Sequence, residues 1–291
     1  MFDYDAERFR ALITELTRSN VTEETWQWLS DKFLAPETLA VNSAFAMMPR
    51  KTGKLPLTES IELRVEIEKL KPGFILEGWT IDRLSRLCLL LQLDPTDKAK
   101  YFKTIENLFL AAEVQELVAL YSSLPLLAWP ELWKMRCAEG IRSNIGLVLE
   151  AIMYNNPYPF NYLDEKAWNQ LILKAFFTDK DLNKIPGIDE RANAELAATL
   201  IDFAHERWSA HRKINPHLWR LTSKFIDDNL LIDLNRVFEE GSLRDRQAAA
   251  LTVYQSDSDS AKMLLNSYPE LLKAIENKEI TWSSITPEVY Y

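Results

Sequence analysis

Residues 243–265, LRDRQAAALTVYQSDSDSAKMLL, form the most repeat-like stretch of the chain. An Arg- and Ala-rich run reads as a helix, SDSD as a capped turn, and AKMLL as the start of a second helix. Ser and Asp fit that turn because their side chains accept the free N–H groups of a helix start. Two short helices joined this tightly stack as an antiparallel pair to bury their apolar stripes. The same alternation continues outward in both directions. Apolar residues recur at helical spacing over 4–18 (Phe9, Leu12, Ile13, Leu16) and over 23–34, which Thr22 caps and which carries Trp26, Leu29 and Phe33. Further helices are predicted over 58–70, 80–92, 96–109 (opened by Asp94-Pro95-Thr96) and 113–122, with one long helix over 130–154. The series closes with 164–177, 189–212, 216–225, 227–239, 243–255, 258–266 and 269–277. No segment reads as a sheet, and no clean repeat period runs through the chain. The expected fold is all-α: stacked antiparallel helix pairs, as a HEAT-like α-solenoid or an irregular helical bundle.

The totals agree with helices. The 291 residues include only 7 glycines but 9 tryptophans, too few glycines for a fold of many tight β-turns. The stretch 47–57, MMPRKTGKLPL, is a basic connector broken by Pro and Gly. It suggests an N-terminal helical segment, 1–75, ahead of a domain 76–291, or one continuous domain. Lys and Arg number 34 against 43 Asp and Glu, a net charge of −9 that repels a phosphate backbone and argues against nucleic acid as a partner. Cys88 and Cys137 sit in apolar helical contexts and read as buried free thiols. The N-terminus, MFDYDAERFR, has no apolar core of a signal peptide, and no apolar run approaches bilayer length, so a cytoplasmic location is expected.

All three histidines fall in residues 204–220, AHERWSAHRKINPHLWR. On a helix over 189–212, Leu196, Leu200, Phe203 and Ala204 share one face, and steps of four and eight from Phe203 reach Arg207 and His211. A guanidinium on such a stripe has to be paired. His205 and His211 are six residues apart, about 120° around a helix, so they do not ligate one ion from one face. The text also lacks HExxH, and no metal is expected. An anion pocket fits better: from 205 to 224 there are five basic groups (Arg207, Arg212, Lys213, Arg220, Lys224) and one acid, Glu206. A helix starting at Asn215-Pro216, ahead of His217, adds its own N–H groups. The alternative is that Arg207 and Arg220 pair with carboxylates of neighbouring helices, with Glu139 and Glu150 as the guessed partners.

Two more stretches stand out. In 138–152, AEGIRSNIGLVLEAI, Asn144 intrudes on an apolar arc of Trp133, Cys137, Ile141, Ile145, Val148 and Ile152, beside Glu139 and Arg142. Gly140 and Gly146 within a helix cost about 1 kcal/mol each, so something is expected to approach the backbone there. In 156–177, NPYPFNYLDEKAWNQLILKAFF, a rigid aromatic loop with Tyr158 precedes Trp168 and Asn169, as a pocket wall or a filled helix corner. There is no Walker loop, GxGxxG, GxSxG or CxxC pair.

AEGIRSN, NPYPFNYLDEKAWNQLILKAFF, GIDERANAELA and FAHERWSAHRKINPHLWR, in this order, resemble the EboA-like family over about 130–227, with looser similarity over most of the chain. After LWR the sequence departs from that pattern, with LTSKFIDD in place of a turn richer in Gly and Pro. The resemblance implies helical proteins of a bacterial gene set that moves secondary metabolites across the inner membrane, beside prenyltransferase-like and isomerase-like neighbours. It brings no known reaction and no catalytic residues to carry over, and no cofactor is expected. The expected role is that of a non-catalytic cytoplasmic protein binding a metabolite intermediate, anionic or aromatic, or partner proteins of the same gene cluster. Arg207, His211 and Arg220 would meet an anionic group, and Tyr158, Trp168, Trp208 and Trp219 would form walls. His217, Glu139, Arg142, Asn144 and Asn169 complete the candidate set. The alternative is an enzyme of secondary-metabolite processing that uses His205, Glu206 and His211.

Overall fold

The computed structural model describes residues 1–33 and 38–285. Among them every regular element is a helix, and the only β-type pairing is an isolated bridge between Pro56 and Thr80. The fold is all-α. Two compact units divide at 168/169; both the basic connector and position 75 lie inside the first.

The first unit holds α1 (Ala6–Ser19), α2 (Glu23–Phe33), α3 (Thr38–Thr52), α4 (Ile61–Leu70), α5 (Ile81–Leu91), α6 (Lys98–Ala111), α7 (Val114–Ser123), α8 (Lys134–Ile141), α9 (Gly146–Met153) and α10 (Tyr158–Tyr162). The unit boundary falls within α11 (Glu165–Phe177). The helix α5 is central. All its residues but Arg83 are buried, and α1, α3 and α7 pack on it. Its Leu84, Leu87, Cys88 and Leu91 join Phe9, Ile13, Phe74 and Trp79 in one apolar cluster. Cys88 and Cys137 are both free and buried, and burial pushes the Cys88 thiol up to about 11.

One buried ion pair organises this unit. Arg86 on α5 donates from Nη1 to Asp82 Oδ2 at 2.7 Å and from Nε to the Phe45 carbonyl at 3.0 Å. Phe45 lies four residues before Pro49, and proline has no N–H to return to that carbonyl. The guanidinium of Arg86 therefore supplies the donor that the helix lacks. Its neighbour Arg83 lies 4.0 Å over the Trp79 ring and donates to Ser122 Oγ, and burial pulls its pKa down to about 9.

Several expectations need correction. The predicted end of α2 at residue 34 lies outside the described residues. Residues 47–52, assigned to a connector, are the last turns of α3, which carries Pro49 inside it. The helix after Asp94 starts at Lys98 with Asp97 as its cap, while Asp94 accepts from Thr96 N in a local turn. The long helix 130–154 is a 3-10 turn, Pro130–Trp133, followed by α8 and α9. The break falls where Ser143 Oγ accepts from Ile145 N, a side-chain bond that competes with helix continuation. Gly146 thus opens α9 and is not mid-helix. At Gly140 the expected close approach is present: a Cβ there would lie 2.5 Å from Ile152 Cδ1 and 2.6 Å from the Tyr121 ring.

The second unit holds α12 (Ala194–Ser209), a 3-10 helix (Pro216–Phe225), α13 (Asp228–Glu240), α14 (Leu243–Tyr254), α15 (Asp259–Asn266) and α16 (Pro269–Glu276). Asp189-Glu190-Arg191 precede α12 rather than opening it; Asn193 is the cap and accepts from Leu196 N at 2.9 Å. The 3-10 helix packs on α14, whose buried Ala248, Ala249 and Ala250 allow close approach, and on α12. Successive helices α13 to α16 pack on their chain neighbours.

Candidate functional site

The 204–220 stretch folds as the end of α12, a short turn, and the start of the 3-10 helix. The end of α12 is a six-to-one cap: His211 N donates to the Trp208 carbonyl at 2.9 Å, and Arg212 N to the Arg207 carbonyl at 2.8 Å. The closing residue, His211, is exposed with φ 54° in the left-handed region, where glycine is the usual occupant. His211→Gly is expected to raise stability by about 0.5–1 kcal/mol, because only the backbone strain is removed. Thermal unfolding checks this as a rise of about 1–3 °C; a fall would mean that the imidazole makes a stabilising contact.

Arg207 sits at the edge of the apolar stripe, half-buried, with Cζ 5.8 Å from the Phe203 ring. Its Nε donates to the Lys213 carbonyl at 2.8 Å, so it fastens the turn that follows its own helix. His205 is exposed on another face, with Nε2 2.7 Å from Asp233 Oδ2 on α13 and its ring stacked on Trp208 at 5.8 Å. Glu206 is exposed.

His217 is fully buried. Asn215 accepts from its backbone N–H and Pro216 opens the 3-10 helix, as the sequence suggests. A ring nitrogen facing a carbonyl has to donate, so Nε2 carries the proton to the Ile285 carbonyl, 2.8 Å away. The opposite nitrogen, Nδ1, is buried without a partner among the described residues. Burial lowers the pKa and Arg220 adds to that, against the Ile285 bond and the charges of Asp181 and Asp189. The unfolded chain therefore binds a proton that the folded one refuses. Stability is expected to fall as pH drops below about 6.5, by at most about 1.4 kcal/mol per pH unit. Melting curves of wild type and His217→Asn across pH 5–8 check it; identical pH profiles would contradict it.

Arg220 is neutralised. Its Nε and Nη2 form a two-pronged pair with Asp189 at 2.6 Å each, and Nη1 donates to Asn183 Oδ1 at 3.0 Å. Lys224 Nζ adds a bond to the Asp189 carbonyl. In the first unit Glu139 accepts from Arg136 Nη1 at 2.6 Å. Arg142 and Asn144 are exposed on the 142–145 turn. Tyr158 is fully buried and donates to the Pro130 carbonyl at 2.6 Å, and Trp168 is fully buried. In the second unit Asn169 exchanges side-chain bonds with Asn193, the cap of α12. The aromatic-proline loop carries the short helix α10, so within the first unit Tyr158 acts as a corner anchor. Among the described residues no three His, Cys, Asp or Glu side chains come together in a way that would hold a metal ion.

What the corner does form is a cleft of about 340 Å³ within the second unit. One wall is the turn after α12: Trp208, Arg212, Lys213, Ile214, Pro216 and Trp219. The other comes from α13, with Arg236, Val237 and Glu240, and from the start of α14, with Arg244 and Asp245. The indoles of Trp208 and Trp219 lie 5.7 Å apart at 32°, and Arg236 Cζ lies 4.6 Å over Trp208. The helices meet at Gly241, where a Cβ would stand 2.4 Å from the Val237 carbonyl, so only glycine makes this turn. The sequence reading missed the second wall. Its signal was available in the alternating charges of 236–246, but the contacts that bring them to Trp208 are non-local.

No helix among the described residues is long and apolar enough to cross a membrane. No curated protein and no solved structure matches the chain. A family does match, over residues 9–223, which include the Trp208–Trp219 wall and stop short of α13 and α14. That family is described as metabolite traffic protein EboA, and the chain belongs to it.

Proposed function

We propose that the protein takes part in secondary-metabolite traffic by binding a metabolite intermediate, without transforming it, at the cleft between the turn after α12 and the α13–α14 turn. The observation that carries this reading is the pair of tryptophans in a concave, mixed apolar and polar site of small-molecule size. The family description supports the traffic part. Arg207 serves as a positioning residue, since its bond to the Lys213 carbonyl fixes the turn that carries Arg212. The protein works in the cytoplasm, with proteins of the same gene cluster at the inner membrane as partners.

One observation favours a second reading. His205 and Asp233 form a hydrogen-bonded pair 2.7 Å apart at the surface, an arrangement that can orient an imidazole for proton transfer, next to Glu206. Chromosomal Trp208→Ala and His205→Ala variants in a producing strain separate the two. In the binding reading, Trp208→Ala leaves total product unchanged and lowers its exported share, and His205→Ala has little effect on product formation. Loss of product formation in His205→Ala, with the protein folded, would overturn it in favour of an enzyme.

A further inference from the structure

We infer that the ligand of this cleft is a planar aromatic acid, its ring against the Trp208 indole and its carboxylate at Arg212. This rests on the reading of the cleft as a metabolite site and goes further by naming the chemistry it takes.

The charges decide the sign. Four basic side chains line the cleft, Arg212, Lys213, Arg236 and Arg244, against two acidic ones, Glu240 and Asp245. Both acids are engaged already. Asp245 accepts from the N–H and hydroxyl of Ser242, the cap of α14, and Glu240 accepts from Arg236 Nε at 2.9 Å. They are poorly placed to neutralise Arg212 as well. Arg212, exposed on the rim, has no side-chain partner among the described residues. A guanidinium offers two parallel N–H donors, which match a carboxylate.

The walls decide the shape. Trp208, half-buried, is held by the His205 ring and the Arg236 guanidinium, with the buried Trp219 behind it. Ile214, Pro216 and Val237, all buried, lie beneath the cleft and make its floor apolar. A pre-oriented, partly exposed indole favours a flat aromatic group in offset or edge contact. An aliphatic acid leaves the Trp208 indole unused, and a neutral aromatic leaves the Arg212 donors unused.

Calorimetric titration of the full chain with naphthalene-2-carboxylate, 2-naphthylmethanol and cyclohexanecarboxylate tests this. The aromatic acid is expected to bind at least about ten-fold more tightly than either comparator, a difference of about 1.4 kcal/mol. Arg212→Ala removes the preference for the acid over the alcohol, and Trp208→Ala weakens both aromatic probes, with unchanged circular dichroism in each. Equal affinities for the three probes, no binding of any, or full binding in both variants would overturn the inference. If the probes fail while Trp208→Ala still lowers export in cells, the traffic reading stands and only the ligand class falls.

Discussion

Arg86→Met is expected to lower stability by about 3–5 kcal/mol, more than any surface change in this chain. The side chain is 2% exposed and serves two acceptors at once. Its removal strands the Asp82 carboxylate, itself 4% exposed, with only the Thr80 hydroxyl at 2.6 Å. It also strands the Phe45 carbonyl, which Pro49 leaves without its helical donor. Each unsatisfied buried group adds a penalty of about 1–3 kcal/mol, more where charge is involved. Two second-site changes test this cause. Asp82→Leu on the Arg86→Met background restores most of the loss, because no charge is left unpaired. Pro49→Ala on the same background restores part of it, because an N–H returns to Phe45. Denaturant unfolding of the single and double variants measures both, and additive double variants would contradict the shared-acceptor account.

Arg212→Glu with Arg236→Glu turns the excess of basic side chains in the cleft into an excess of acidic ones. Binding of an anionic metabolite is expected to fall by more than about a hundred-fold, or about 2.7 kcal/mol. The fold is expected to hold within about 1 kcal/mol, since the Arg236 side chain is 49% exposed and its pair with Glu240 is a surface pair. In a producing strain the double variant therefore makes the metabolite in normal total amount and exports little of it. Normal export with normal protein levels would remove the cleft from the account.

The helices were largely legible because their signals are local. Asp5, Thr22, Ser60, Asn193, Asp227 and Ser242 each cap a helix start with a side-chain bond to a nearby backbone N–H. Helix ends were harder, because this glycine-poor chain closes them with other residues. Asp179, His211 and Lys278 all take positive φ at such ends. The break at 142–145 was hidden for a similar reason: Ser143 and Asn144 end α8 without proline or glycine. Helix α3 was hidden by Pro49, whose missing hydrogen bond is replaced from a helix 37 residues further on. The 204–220 corner was visible as a dense cluster, but the partners of its charges were not. Arg220 finds Asp189, which the sequence reading had not paired with it, and Arg207 finds a carbonyl of its own turn. The residues that complete the cleft, Arg236 and Arg244, come from helices that the cluster gave no reason to choose.

The proposed role turns on whether the Trp208–Trp219 cleft holds a metabolite. Native purification of the chain from a strain expressing its gene cluster, followed by mass spectrometry of the released small molecules, tests it most directly. One compound is expected, near one per chain, carried by wild type and lost from folded Trp208→Ala and Arg212→Glu proteins. Wild-type protein that carries nothing, or variants that carry the same compound in the same amount, would contradict it.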